Sequence, residues 1–124
     1  MRLSEAYQPQ KEEGQEMKAK TAKEVLIATK WIINHIGWSK GTMYRDQKRR
    51  VLLCKDSKQH PEKVYSCCLI GAIELVNADS PILDEAKDII MRATNGSIVS
   101  WNDTKGRTKS DVRAVLNKAI ANAS

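Results

Sequence analysis

No stretch of this 124-residue chain approaches the eighteen or so apolar residues of a membrane span, so no membrane association is expected. The opening MRLSEAYQPQKEEGQEMKAK has no apolar central region, which argues against a secretory signal. Its basic and acidic side chains cancel, and Pro9 and Gly14 interrupt it. Residues 1–20 therefore read as a flexible arm with at most one marginal helical turn, ahead of a single domain over 21–124. Cysteine is scarce too. Cys54, Cys67 and Cys68 are odd in number and two are adjacent, whereas a secreted disulfide framework is normally even and spaced. Reduced thiols filling core space in a cytoplasm are the expectation. Histidine is limited to His35 and His60, and no C-x-x-C pair, G-x-S-x-G elbow, P-loop or G-x-G-x-x-G occurs. No internal repeat or low-complexity tract is visible.

What is present is an ordinary globular balance, 41% hydrophobic and 29% charged, in a chain long enough to bury a core without staples. The net charge of +6 is unevenly placed. Residues 40–63 hold eight Lys or Arg against three Asp or Glu, and residues 105–124 hold five against one. Between them, residues 64–104 hold two against six. Two basic segments thus flank an acidic one, an asymmetry that favours an anionic partner, although basic surfaces often serve solubility alone.

The spacing predicts a helix over about 21–36: Thr21 and Glu24 have capping-box spacing, and Val25, Ala28, Ile32 and Ile36 recur at helical intervals before Gly37. Thr42–Arg45 and Arg50–Leu53, separated by a polar turn, predict a short β-hairpin over 42–53. Residues 55–63 are polar and read as loop. VYSCCLIGAIELV, residues 64–76, reads as a central helix buried on most sides. Gly71 within it calls for a closely packed neighbouring backbone, and Glu74 must face outward or toward a cation. A further helix is expected from Ser80 as cap and Pro81 to Asn95-Gly96, with Leu83, Ala86, Ile89, Ile90 and Ala93 buried. Thr108 and Asp111 repeat the capping-box spacing ahead of a last helix with Val112, Val115, Leu116, Ala119 and Ile120 inward. The fold class is mainly α: a compact single domain of about four helices with one short hairpin.

GWSKGTMYRD, PEKVYSCCLIGAI and NGSIVSWNDTKGRTKSDVRAVLNKAI together resemble an uncharacterised domain family of short bacterial and phage proteins. Its pattern runs Trp-x-Lys-Gly with a following Arg-Asp, then Cys-x-x-Gly-Ala, then Ser-Ile-Val with an aromatic and Asn-Asp before a closing helix. The matching positions are Trp38, Lys40, Gly41, Arg45, Asp46, Cys68, Gly71, Ala72, Ser97, Ile98, Val99, Trp101, Asn102 and Asp103. Family members commonly carry a glycine in the turn after Arg-Asp, where this chain has QKRR. The resemblance implies a shared fold and a bacterial or phage origin, hence a host cytoplasm for a phage-borne gene. It implies no activity, since none is established for the family.

Four chemistries can be weighed on the residues. Zinc would need Cys54, His60, Cys67 and Cys68 to converge, yet adjacent helical cysteines point about 100° apart; no metal and no cofactor are expected. A nucleophilic Cys68 would need His35 or His60 as base, and its apolar flanks should raise its pKa and leave it inert. Asp46 and Asp103, beside Arg45 and Asn102, would form a polar cluster with Lys40 if their two loops met, able to hold a metal-phosphate or move protons. The plainer reading is structural, because Arg-Asp and Asn-Asp are common turn chemistry. Anion binding is the fourth: Lys40, Arg45, Arg49 and Arg50 in one segment, Lys105, Arg107 and Lys109 at the last helix start, with Trp38, Tyr44 and Trp101 as stacking surfaces. Helix-turn-helix spacing is missing, so sequence-specific DNA reading is not expected.

The sequence therefore favours a non-catalytic accessory module that binds a nucleic acid or nucleotide through a basic surface. The alternative is a protein–protein module, an inhibitor or scaffold for a host protein acting through an exposed aromatic or apolar patch. A small enzyme using Asp46 and Asp103 ranks third. Val99 is expected to join Ile98 and Trp101 in pinning the 97–108 stretch to the core.

Overall fold

The computed structural model describes residues 18–123, together with residues 11–12 and 15–16. Most of the expected flexible arm lies outside the described residues. Within it, β1 (Lys11–Glu12) pairs antiparallel with β2 (Gln15–Glu16). Residues 18–20 are attached to the domain rather than free of it. Ala19 N–H donates to Asn77 O at 2.8 Å, and Lys18 pairs with Asp79.

Six α-helices are described: α1 (Ala22–His35), α2 (Cys54–Gln59), α3 (Leu69–Glu74), α4 (Ser80–Thr94), α5 (Ile98–Asp103) and α6 (Lys109–Asn122). The fold is mainly α, a compact single domain as its patterning predicts. Among the described residues no helix is long and apolar enough to cross a membrane. The three long helices form where amphipathic spacing and caps agree. Thr21 Oγ1 accepts from Glu24 N–H at 3.1 Å, while the Glu24 carboxylate reaches back to Lys20 N–H. Thr108 and Asp111 cap α6 reciprocally. Asn95, in the left-handed conformation, closes α4. Helix α1 packs against α3, α4 and α6, and α4 packs against α6. Val25, Leu26, Ile32, Ile33, Ile73, Ile90, Val112 and Leu116 are fully buried between them.

The shorter elements depart from expectation. The run 64–76 is not one helix: β4 (Ser66–Cys67) precedes α3, and the Cys68 thiol caps α3 by accepting from Gly71 N–H at 3.4 Å. A run in which nearly every position is apolar carries no period to separate strand from helix. Residues 55–63, read as loop, hold α2 and a 3-10 turn over Pro61–Lys63. Residues 98–103 form α5, capped by Ser97; there Ile98 is buried but Val99 is 47% exposed, so Val99 does not pin this stretch. Asp79, not Ser80, is the N-cap residue of α4, and its carboxylate is engaged by Lys18.

The expected hairpin is present only in part. Strand β3 (Tyr44–Arg45) takes its ladder from distant β4, in the register Tyr44 to Cys67 and Arg45 to Ser66. Its other side meets Val51 in a single antiparallel bridge, with Leu52 N–H donating to Tyr44 O and Asp46 N–H to Arg50 O. A parallel bridge from Trp38 to Cys67 adds a fourth extended segment. The order across this small sheet is thus 37–39, β4, β3, 50–52. The 46–50 turn closes with Arg49 at φ 64°, a left-handed conformation that a glycine would adopt without strain.

Strand β3 crosses α3 at Gly71, and the expected close backbone approach is there. A Cβ on Gly71 would lie 2.6 Å from Met43 O and 3.1 Å from Tyr44 Cε1. The buried Tyr44 hydroxyl donates to Gly71 O at 3.0 Å and fixes the same crossing. Glu74, beyond it on α3, faces Lys87 and Lys58. Gly71→Ala should lower unfolding free energy by about 1–3 kcal/mol, because overpacking outweighs the gain in helix propensity. Urea denaturation checks this; a variant as stable as the parent would show that β3 and α3 can separate without penalty.

Candidate functional site

The loops carrying Lys40 and Asp103 do meet, and Asn102 is the reason. Its side chain is fully buried. Oδ1 accepts from Trp38 Nε1 at 2.6 Å and from Leu69 N–H at 3.0 Å. Nδ2 donates to Ser39 O at 3.2 Å and to Asp103 Oδ1 at 2.9 Å. Both lone pairs and both N–H groups of the amide are thereby used. The Leu69 amide is the first N–H of α3, one of the groups that a helix start leaves without an internal partner. One side chain on α5 therefore joins the 38–39 segment to the start of α3.

Around this amide several neighbouring polar groups are also tied down. Asp103 Oδ1 also accepts from Gly41 N–H at 3.1 Å. Lys40 Nζ donates to Thr104 O at 2.9 Å and lies 5.7 Å from the Trp38 ring centroid. The same carbonyl accepts from Arg107 N–H, and Thr104 Oγ1 donates to Ser100 O. Arg107 lies over Trp101 with its guanidinium carbon 3.9 Å from the ring centroid, while its Nε donates to Trp101 O at 2.9 Å. Such stacking presents a planar cation in a fixed orientation.

Asp46 does not join Asp103. Its Oδ1 accepts from Lys48 N–H and Arg50 N–H, both at 2.9 Å, and its Oδ2 pairs with Arg50 Nε. Those backbone and guanidinium donors hold the Asp46 carboxyl below its usual range, the Arg50 amide first among them. Asp111 is depressed in the same direction by the Thr108 backbone and hydroxyl. Asp46 and Asp103 thus serve separate turns and form no acid and base pair, one closing 46–50 and the other bracing Gly41.

Among the anion-binding candidates, Arg45 is held by the carbonyls of Lys40 and Arg49, both at 3.1 Å, and Arg50 by Asp46. Lys105 is exposed and Lys109 half-buried. Asp111 sits at the start of α6, so charge there is already complemented and the helix start is not an open anion seat. Among the stacking candidates Tyr44 is enclosed in the core, where burial pushes its phenol up, and cannot meet a base. Trp38 and Trp101 are half-buried. The thiols of Cys67 and Cys68 are buried and their ionisation is pushed up by that burial. His35 stacks on Trp31 and meets its carbonyl, and His60 faces Glu62. Among the described residues no group of three His, Cys, Asp or Glu side chains is placed to hold a metal ion. The backbone groups Gly41 N–H and Thr104 C=O, which organise the junction, have no side-chain signature by which sequence reading could have found them.

A family model described as a family of unknown function (DUF6197) matches residues 17–122. No curated protein and no solved structure matches the chain. Replacing Asn102 by Leu should leave Leu69 N–H, Trp38 Nε1–H and Ser39 O without partners, lowering stability by about 3 kcal/mol or more. Chemical denaturation of Asn102→Leu beside Asp46→Asn, which should lose less, checks the ranking. Equal losses would contradict the role given to Asn102.

Proposed function

We propose, for a chain that belongs to the DUF6197 family of unknown function, that the face around Lys40, Lys105 and Arg107 binds a nucleic acid or nucleotide without catalysing a reaction. The observation that carries this reading is the hydrogen bond from Lys40 Nζ to Thr104 O, which sets the two basic segments of the sequence side by side. Arg107 strengthens it. Its guanidinium is braced flat on Trp101 and donates inward only through Nε, and its terminal nitrogens have no partner among the described residues. A guanidinium held in this way offers a fork that matches phosphate oxygens at little further entropy cost. Asp103 and Asp111 are each tied to a backbone N–H group and temper the positive field. We assign this role to an accessory protein of bacterial or phage origin acting in the cytoplasm.

Fluorescence anisotropy with labelled oligo(dT), and with a labelled adenine nucleotide, tests the proposal. Four contacts from Lys40, Lys105, Arg107 and Lys109 to a single strand predict an affinity loss of about fiftyfold as salt rises from about 50 to about 200 mM. Arg107→Ala should weaken binding and flatten that salt slope. Salt-insensitive binding, or none to either probe, would overturn the reading.

A further inference from the structure

Two apolar side chains stand apart from the core on the outer edge of the small sheet. Val51 is 58% exposed and Leu53 is 66% exposed, the most exposed large hydrophobic residues described. They are two positions apart in an extended segment and so share one face, while Leu52 between them packs toward the core. The backbone on this edge is open. Residues 50 and 52 bond inward, to Asp46 N–H and Tyr44 O. The bridge between Arg45 and Val51 is therefore of the kind whose own N–H and C=O groups point away from the partner. Val51 N–H, Val51 C=O and Leu53 N–H make no hydrogen bond among the described residues. An unpaired donor–acceptor–donor row beside two exposed apolar side chains is a template for one more strand.

The charge around the edge selects among occupants. Residues 47–58 carry Lys48, Arg49, Arg50, Lys55 and Lys58 against Asp56 alone. Arg50 is paired with Asp46 and Lys58 lies near Glu74, whereas Lys48, Arg49 and Lys55 make no ion pair among the described residues. Two copies of such an edge would repel one another, which disfavours self-pairing. A polynucleotide would leave Val51 and Leu53 uncovered and the backbone row unpaired. An extended peptide that alternates acidic and apolar side chains satisfies all three features together. Its backbone meets Val51 and Leu53, its apolar side chains lie on theirs, and its carboxylates are drawn by the positive charge that Lys48, Arg49 and Lys55 place around the edge.

We propose that residues 50–53 are a strand-addition site for an extended acidic and apolar segment of a partner protein. The site is separate from the Lys40–Arg107 face, and its existence does not depend on phosphate binding there.

Panning the full chain against a displayed library of random linear peptides tests it, followed by calorimetry with the enriched peptides. The expected result is enrichment of sequences in which Asp or Glu alternates with Val, Ile or Leu. Val51→Pro removes only an outward donor and should weaken the selected peptides about tenfold, the worth of a peptide hydrogen bond with its strand geometry. Leu53→Glu, a change at an exposed position that leaves the fold intact, should weaken them at least as much by reversing the local charge and removing the apolar contact. It keeps the test decisive if the proline variant unfolds. Failure to enrich any peptide, enrichment without the alternation, or affinity unchanged by Leu53→Glu would overturn the proposal. Oligo(dT) binding is measured on the same variants and should be unchanged by Leu53→Glu, which separates failure here from failure of the phosphate reading.

Discussion

A single buried amide holds α5, the start of α3 and the 38–41 segment together. Asn102 is enclosed in the interior yet makes all four of the hydrogen bonds its side chain allows. A buried polar group stabilises a fold only when it is fully satisfied, and it then penalises every arrangement that leaves a partner unmatched. The four partners come from three separate places in the chain. Leu69 N–H heads a helix, Trp38 Nε1–H is on a half-buried indole, Ser39 O lies in an irregular segment, and Asp103 already braces Gly41. The amide therefore fixes the relation of α5, α3 and the 38–41 segment more narrowly than apolar packing alone would.

The charge distribution follows from that junction. Once 38–41 is docked on 102–104, Lys40 reaches the Thr104 carbonyl and the two basic stretches become neighbours. Asp46, Asp103 and Asp111 are drawn into turns and caps, each accepting from backbone N–H groups. The carboxylates thus serve local structure, while Lys48, Arg49, Lys55, Lys105 and the Arg107 fork retain charge directed outward. The crossing of β3 over α3 at Gly71, closed by the Tyr44 hydroxyl, carries the same order to the outer edge at Val51 and Leu53.

The long helices were legible because period, cap and stop agreed on α1, α4 and α6. The rest was harder for physical reasons. Between Val64 and Val76 the apolar character is nearly continuous, so nothing local distinguishes β4 from α3, and the break falls at a cysteine acting as a cap. Helices of six residues, α2 and α5, are too short to show a stripe. Of the polar cluster expected from the sequence, Lys40, Arg45, Asn102 and Asp103 lie along one hydrogen-bonded junction, whereas Asp46 stays in its own turn. Their roles were not legible. Whether Asp46 turns toward Asp103 or toward its own turn depends on Arg49 accepting a left-handed backbone, and a carbonyl such as Thr104 O carries no residue-type signal.

The claim on which the account depends is that Asn102 makes the first amide of α3 part of the core. Native-state hydrogen exchange of Leu69 N–H measures this directly, without any substitution. Amides in the first turn of a helix ordinarily exchange readily because no backbone acceptor protects them. Here Leu69 N–H should exchange as slowly as the buried amides of α1, through global unfolding alone. Exchange at the rate of an unprotected helix start would contradict the account and remove the constraint from which the basic face was derived.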